Sequence, residues 1–135
     1  MTRWLAICLM ANSLLACTDA RPPRSDPLHG ETLFQIACAG CHRIDAGRLH
    51  DVGPNLYGIV GQPAASQEGY AYSLALQSSG LSWDRNSLAG WIAATEVLVP
   101  GTTMTYTNSL SGEEVAEVID YLFETATNHS QRREP

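Results

Sequence analysis

The chain has 135 residues, with fourteen acidic side chains against eight arginines, no lysine and a net charge of −6. That length suits a single domain with no room for a second core. The acidic balance excludes a nucleic-acid binder and a docking face built from a ring of lysines.

Thr2-Arg3 is a short positive start, and Trp4 to Ala16 is an uncharged, mostly apolar run. It is shorter than the roughly 17–25 residues a membrane-spanning helix needs. Residues 1–16 therefore read as a signal peptide, which implies export. The end of the run, Leu14-Leu15-Ala16-Cys17, resembles a bacterial lipobox. The resemblance implies cleavage before Cys17 and lipid on its thiol. The alternative is an ordinary signal, cut after Ala16 or Ala20, that releases a soluble periplasmic protein. Residues 17–26, with Pro22-Pro23 inside, form a polar tether stiff enough to stand a domain off a membrane. Thr18 follows Cys17 where an inner-membrane lipoprotein tends to carry Asp, which leans toward the outer membrane. Without residues 1–16 only Arg3 is lost, so the mature chain is more acidic still.

Asp26 and Pro27 suit the N-cap and first position of a helix. That helix carries Leu33, Phe34 and Ala37 on one face, and Gly30 leaves space for another helix to cross. It runs into Cys38-Ala39-Gly40-Cys41-His42. Two thiols at i and i+3 followed by an imidazole have the spacing of c-type haem attachment. In that reading Cys38 and Cys41 become thioethers on one haem and His42 binds the iron. A thioredoxin-like pair would need a strand before it. A zinc site would need two further ligands at close spacing, and a disulfide closing so small a loop strains easily. Cysteine use closes with haem: Cys8 leaves with the signal, Cys17 takes lipid, and no thiol is left for a disulfide.

Residues 43–69 form a long loop rich in Gly and Pro, tolerable in a small domain if it packs onto a cofactor. Tyr70 to Ser79 reads as a short helix ending at Gly80. A further helix starts from Asp84 as N-cap and buries Leu88, Trp91 and Ile92. Ser111 and Glu114 make a capping box for a last helix with Val115, Val118, Ile119, Leu122 and Phe123 on one stripe. The domain thus spans 27–125, and residues 126–135 form a frayed polar tail. No segment reads as a strand, so the class is all-α, with four to five helices.

Met104 is the only methionine outside the signal segment, in the loop Pro100-Gly101-Thr102-Thr103-Met104. Its thioether is the candidate for the iron's second face. His29 and His129 read as solvated, whereas His50, beside Asp51, is a rival ligand. A His/Met pair raises the potential of a c-type haem relative to two histidines. It also leaves no open coordination site, which favours electron transfer over turnover.

From about Asp26 to Thr125 the chain resembles a class I cytochrome c of the long-chain, mitochondrial-like kind. The resemblance implies the cytochrome c fold, with long loops wrapped around one covalent haem c. Gly53-Pro54-Asn55-Leu56 resembles the loop whose proline carbonyl accepts from the haem histidine, a role that falls to Pro54. Gly69-Tyr70-Ala71-Tyr72-Ser73 and Gly80-Leu81-Ser82-Trp83-Asp84 resemble segments that set Tyr72 and Trp83 against a haem propionate. Aromatic core packing is the alternative for both. Gly30, Phe34 and Tyr121 fit the family's crossing of terminal helices. Two departures stand out. Gln62 occupies the position of a frequent arginine, which lowers the expected potential, and Thr103 replaces a familiar docking lysine.

Together these features imply a monomeric, lipid-anchored electron carrier on the periplasmic side of a bacterial membrane, not an enzyme, with redox partners that present a basic surface. A cytochrome subunit fed by a periplasmic dehydrogenase is the alternative. A haem enzyme or gas sensor with displaceable Met104 is a third.

Overall fold

The computed structural model describes residues 27–131. The signal segment 1–16, Cys17, the tether 17–26 with its N-cap Asp26, and the last four residues lie outside them. The described residues form five helices and no strand: α1 (Pro27–Ala37), α2 (Leu74–Gln77), α3 (Arg85–Ala93), α4 (Thr95–Leu98) and α5 (Gly112–Gln131). The all-α expectation therefore holds.

α1 and α5 cross to make the main core. Leu33 and Phe34 of α1 meet Val115, Val118, Ile119 and Leu122 of α5, and Phe34 and Val118 are the most completely buried. Each such side chain contributes about 1.5–3 kcal/mol by leaving water. The helices approach closely because Gly30 has no side chain: a Cβ there would lie 2.3 Å from the Glu117 carbonyl oxygen. The Phe34 and Tyr121 rings meet at 5.6 Å beside this crossing. His29 is exposed, as expected, and also sets its Nδ1 2.6 Å from Glu117 Oε2 across the same pair. α3 joins α5 through Arg85, which pairs with Asp120 and lies over the Phe123 ring at 4.3 Å.

Local chemistry sets most helix ends. Asp84 accepts from the Ser87 N–H, and Ser87 returns the bond, so α3 begins where its cap predicts. Ser111 N–H donates to Glu114 Oε2 at 2.8 Å, and Glu114 N–H donates to Ser111 Oγ at 3.3 Å, which starts α5. Three elements differ from the expectation. The helix expected over 70–79 shrinks to α2, because Ser73 stays extended to cap it and Tyr70 is drawn away by a bond to the Val52 carbonyl. α4 is a single turn, too short to show periodicity. α5 continues to Gln131, past Thr125, where a frayed tail was expected.

The loop 43–69 contains no helix and closes onto the segment before α3. Ala64 N–H donates to the Leu81 carbonyl, Trp83 N–H to Gln62, and Gly61 N–H to Trp83, all at 2.8–2.9 Å. These bonds hold Trp83 where the loop folds back, and an isolated bridge pairs Pro63 with Ser82.

A cleft joining two thiols, an imidazole and a thioether

The turn after α1 continues its hydrogen bonding through Cys38 N–H to Phe34, and through Cys41 and His42 N–H to the Cys38 carbonyl. This turn brings both sulfurs and the imidazole to one wall of a cleft. Cys38, Cys41 and His42 line it together with Met104, Tyr72 and Trp83. The remaining walls are mainly apolar, among them Phe34, Leu56, Leu88 and Ile92. No Asp, Glu, Lys or Arg is among the lining residues.

Cys38 and Cys41 are free thiols, so the disulfide alternative does not hold. Burial, reinforced by neighbouring Cys41, pushes the Cys38 thiol up to about 11, and at neutral pH it keeps its proton. Among the described residues no group of three or more His, Cys, Asp or Glu converges, as a zinc site would require. Nor does a strand precede Cys38, as the thioredoxin-like alternative would need.

His42 is held from two directions. Its Nδ1–H donates to the Pro54 carbonyl at 2.8 Å, which leaves Nε2 as the nitrogen available to a ligand. Burial lowers its pKa, and the Pro54 bond only partly opposes that, so the ring stays neutral. Gly53 lies flat against the ring: a Cβ there would stand 2.3 Å from Cε1 and 2.6 Å from Nδ1. The Gly53 N–H in turn donates to the Cys41 carbonyl at 2.8 Å.

Met104 lines the same cleft. Trp91 Nε1–H donates to the Met104 sulfur at 3.1 Å, and Thr95 Oγ1 donates to the Met104 carbonyl at 3.2 Å. Thr95 is only 3% exposed. A thioether sulfur has two lone pairs, so one can serve a metal while the other accepts from indole. Neither Trp91 nor Thr95 reads as functional from sequence. Trp91 falls on an apolar stripe, and Thr95 sits in a turn with no pattern.

Tyr72 is half-buried, and burial raises its phenol pKa, so its O–H is retained as a donor. Trp83 is 8% exposed and packs against Trp91 with ring centres 5.4 Å apart. His50, the rival ligand, is absent from the cleft lining and has both ring nitrogens bonded within the loop. The His129 side chain lies outside the described residues. Gln62 is exposed and absent from the cleft lining, whereas Thr103 is exposed at it.

This donor set fits a haem c: two thiols on one side, imidazole and thioether available to iron, and apolar walls for a flat ring. The propionates would find neutral donors and no cation among the lining side chains.

The cytochrome c family model matches residues 28–126. Cytochrome c from Guizotia abyssinica is 33% identical over 103 residues, covering 76% of this chain and 93% of that protein. Cytochrome c2 from Rhodopila globiformis is 39% identical over 100 residues, covering 74% and 93%. Among solved structures, cytochrome cH from Methylobacterium extorquens matches with a TM-score of 0.67 at 38% identity, covering 73% of this chain and 98% of that one. Proteins of this kind carry one covalently bound haem c and act in electron transfer, not as enzymes. With a family match over residues 28–126 and relatives above 30% identity over most of both chains, this protein is a member of the cytochrome c family.

Proposed function

We propose that this chain is a single-electron carrier that works on the periplasmic side of a bacterial membrane. Cys38 and Cys41 would hold the haem as thioethers, and His42 Nε2 and Met104 Sδ would bind its iron. The haem supplies the one-electron redox couple. The chain's own part is to exclude water, keep both ligands seated through the cycle and so limit reorganisation. Pro54 fixes the His42 tautomer and raises its basicity. Tyr72 and Trp83 offer O–H and N–H donors to a propionate.

The observation that carries this reading is the cleft itself, which gathers the two thiols, the imidazole and the only thioether of the mature chain. Bonds to Met104 from Trp91 and Thr95 favour a fixed ligand over a displaceable one, and so a carrier over a sensor. The lipobox-like Leu14 to Cys17 supports a lipid anchor at Cys17, and Thr18 directly after it leans toward the outer membrane. The acidic charge supports a partner with a basic surface. A dehydrogenase-fed subunit differs from a free carrier only in a stoichiometric partner, and native purification separates the two.

Optical spectra of the oxidised and reduced protein, with a redox titration and intact mass, test the reading. The expected result is a low-spin haem resistant to acid-acetone extraction, a far-red Met–Fe(III) band, and added mass for both haem and lipid. Met104→Ala should lower the potential and open the iron to cyanide. If Met104→Ala leaves the spectrum unchanged, another ligand serves and the His/Met reading fails.

A further inference from the structure

His50 is engaged through both ring nitrogens. The Asn55 backbone N–H donates to its Nδ1 at 2.9 Å, so Nδ1 carries no proton. The neutral ring therefore holds its hydrogen on Nε2, which donates to the Glu68 carbonyl at 2.8 Å. Tyr70 packs edge-on against the ring at 5.5 Å.

The Asn55 N–H and the Pro54 carbonyl belong to one peptide group. At its other end, that group accepts from His42 Nδ1–H at 2.8 Å. Two imidazoles thus grip opposite ends of a single peptide plane. Asn55 is 6% exposed, and its side chain anchors the plane further, donating to the Asp45 and Arg48 carbonyls and accepting from the Tyr57 N–H, each at 2.9 Å.

We propose that His50 is a positioning residue for the iron site, acting through the Pro54–Asn55 peptide on the hydrogen bond that holds His42. Hydrogen bonds in a chain strengthen one another by roughly 10–30% per bond. An acceptor on the Asn55 N–H draws charge onto the Pro54 oxygen, which then binds His42 Nδ1–H more firmly. A histidine so bonded donates more strongly to its metal. The more electron-rich imidazole favours ferric iron, so His50 holds the potential down.

The inference rests on His42 being an iron ligand, and the paired variants His50→Gln and His50→Asn test it in the holoprotein. Glutamine reaches the place of Nε2 and can keep the Glu68 bond, but it leaves the Asn55 N–H without this acceptor. Asparagine puts its oxygen near the place of Nδ1, keeping the acceptor and losing Glu68. Loss of loop tethering alone would affect both variants. The expected result is a raised potential in His50→Gln, with about twofold more ferrous protein at fixed poise, or about 18 mV at 59 mV per tenfold. His50→Asn should keep the wild-type potential while melting earlier. A wild-type potential in His50→Gln, or equal shifts in the two variants, would overturn the proposal. Nitrogen NMR of the unaltered holoprotein gives a second readout, needing no variant to fold. At neutral pH it should find His50 protonated on Nε2 and bare on Nδ1, and a proton on Nδ1 overturns the role. Hyperfine-shifted ring signals from His42 in the oxidised sample report its ligation separately. Their absence overturns the ligand reading and this one together, whereas an unmoved potential with those signals intact overturns only the part given to His50.

Discussion

The cleft holds its two candidate ligands by different means. On the His42 side the restraint is backbone: the Pro54 carbonyl takes the ring N–H, and Gly53 presses against the ring face. On the Met104 side it is made by side chains reaching from α3 and α4: the Trp91 indole to the sulfur and Thr95 to the carbonyl. Backbone restraints move only when the chain moves. A side-chain restraint can be removed by one substitution while the chain stays in place. The His42 wall should therefore fail all at once, and the Met104 wall by degrees.

Gly53→Ala should have the largest effect. The new methyl would overlap His42 Cε1, so either the ring or the 51–55 backbone must shift. Overpacking costs typically 1–3 kcal/mol, and here about 3 kcal/mol or more because the obstacle is a ring tied to backbone through Nδ1. Expression with haem followed by a thermal melt checks it, with poor haem incorporation and a lower Tm as the expected outcome. A variant that matures and melts like wild type would show that the His42 wall yields more easily than its geometry implies.

Trp91→Phe should act in a graded way. It keeps the aromatic packing against Trp83 and removes only the donor to sulfur. A net hydrogen bond of about 0.5–1 kcal/mol converts to roughly 20–40 mV for one electron. Without the donor the sulfur gives more charge to ferric iron, so the potential should fall by that amount while the far-red band persists. A raised potential, or loss of the band, would mean that Trp91 positions Met104 instead of tuning it.

The smallest effect belongs to the cap of the helix that carries Trp91. Bonds from the Ser87 backbone and side chain hold the Asp84 carboxyl below its ordinary value of 3.8. A depressed folded pKa means stability present above that value and lost as pH falls through the folded one. The margin of wild type over Asp84→Asn in thermal melts should accordingly be present at about pH 6 and shrink toward about pH 3. Parallel curves would place the contribution in cap geometry and not in charge.

How much of this was legible depended on range along the chain. The α1–α5 crossing could be anticipated from Gly30, Phe34 and the stripe through Leu122, because periodicity and the Ser111–Glu114 cap are local signals. The shared cleft of Cys38, Cys41 and His42 with Met104 followed from one motif and one surviving methionine. The length of α2 is not legible in the sequence because the Tyr70 bond to Val52 spans eighteen residues. Trp91 looked like core for a similar reason: its N–H meets a partner thirteen residues away across the α3–α4 corner. His50 reads as a rival ligand because an imidazole's partners cannot be read from its neighbours in sequence. Asn55 stood in a recognised motif, yet its part as the hub of the loop emerged only once Asp45, Arg48 and Tyr57 were brought around it.

By itself the sequence determined the helical class, most helix starts and the chemical character of the site, since caps, stripes and the spacing of thiols and imidazole act within a few residues. Only the tertiary structure decided which nitrogen of His42 is left free, what donates to the Met104 sulfur, and how His50 is occupied. Those choices depend on where a long loop closes, and loop closure is set by partners far apart along the chain.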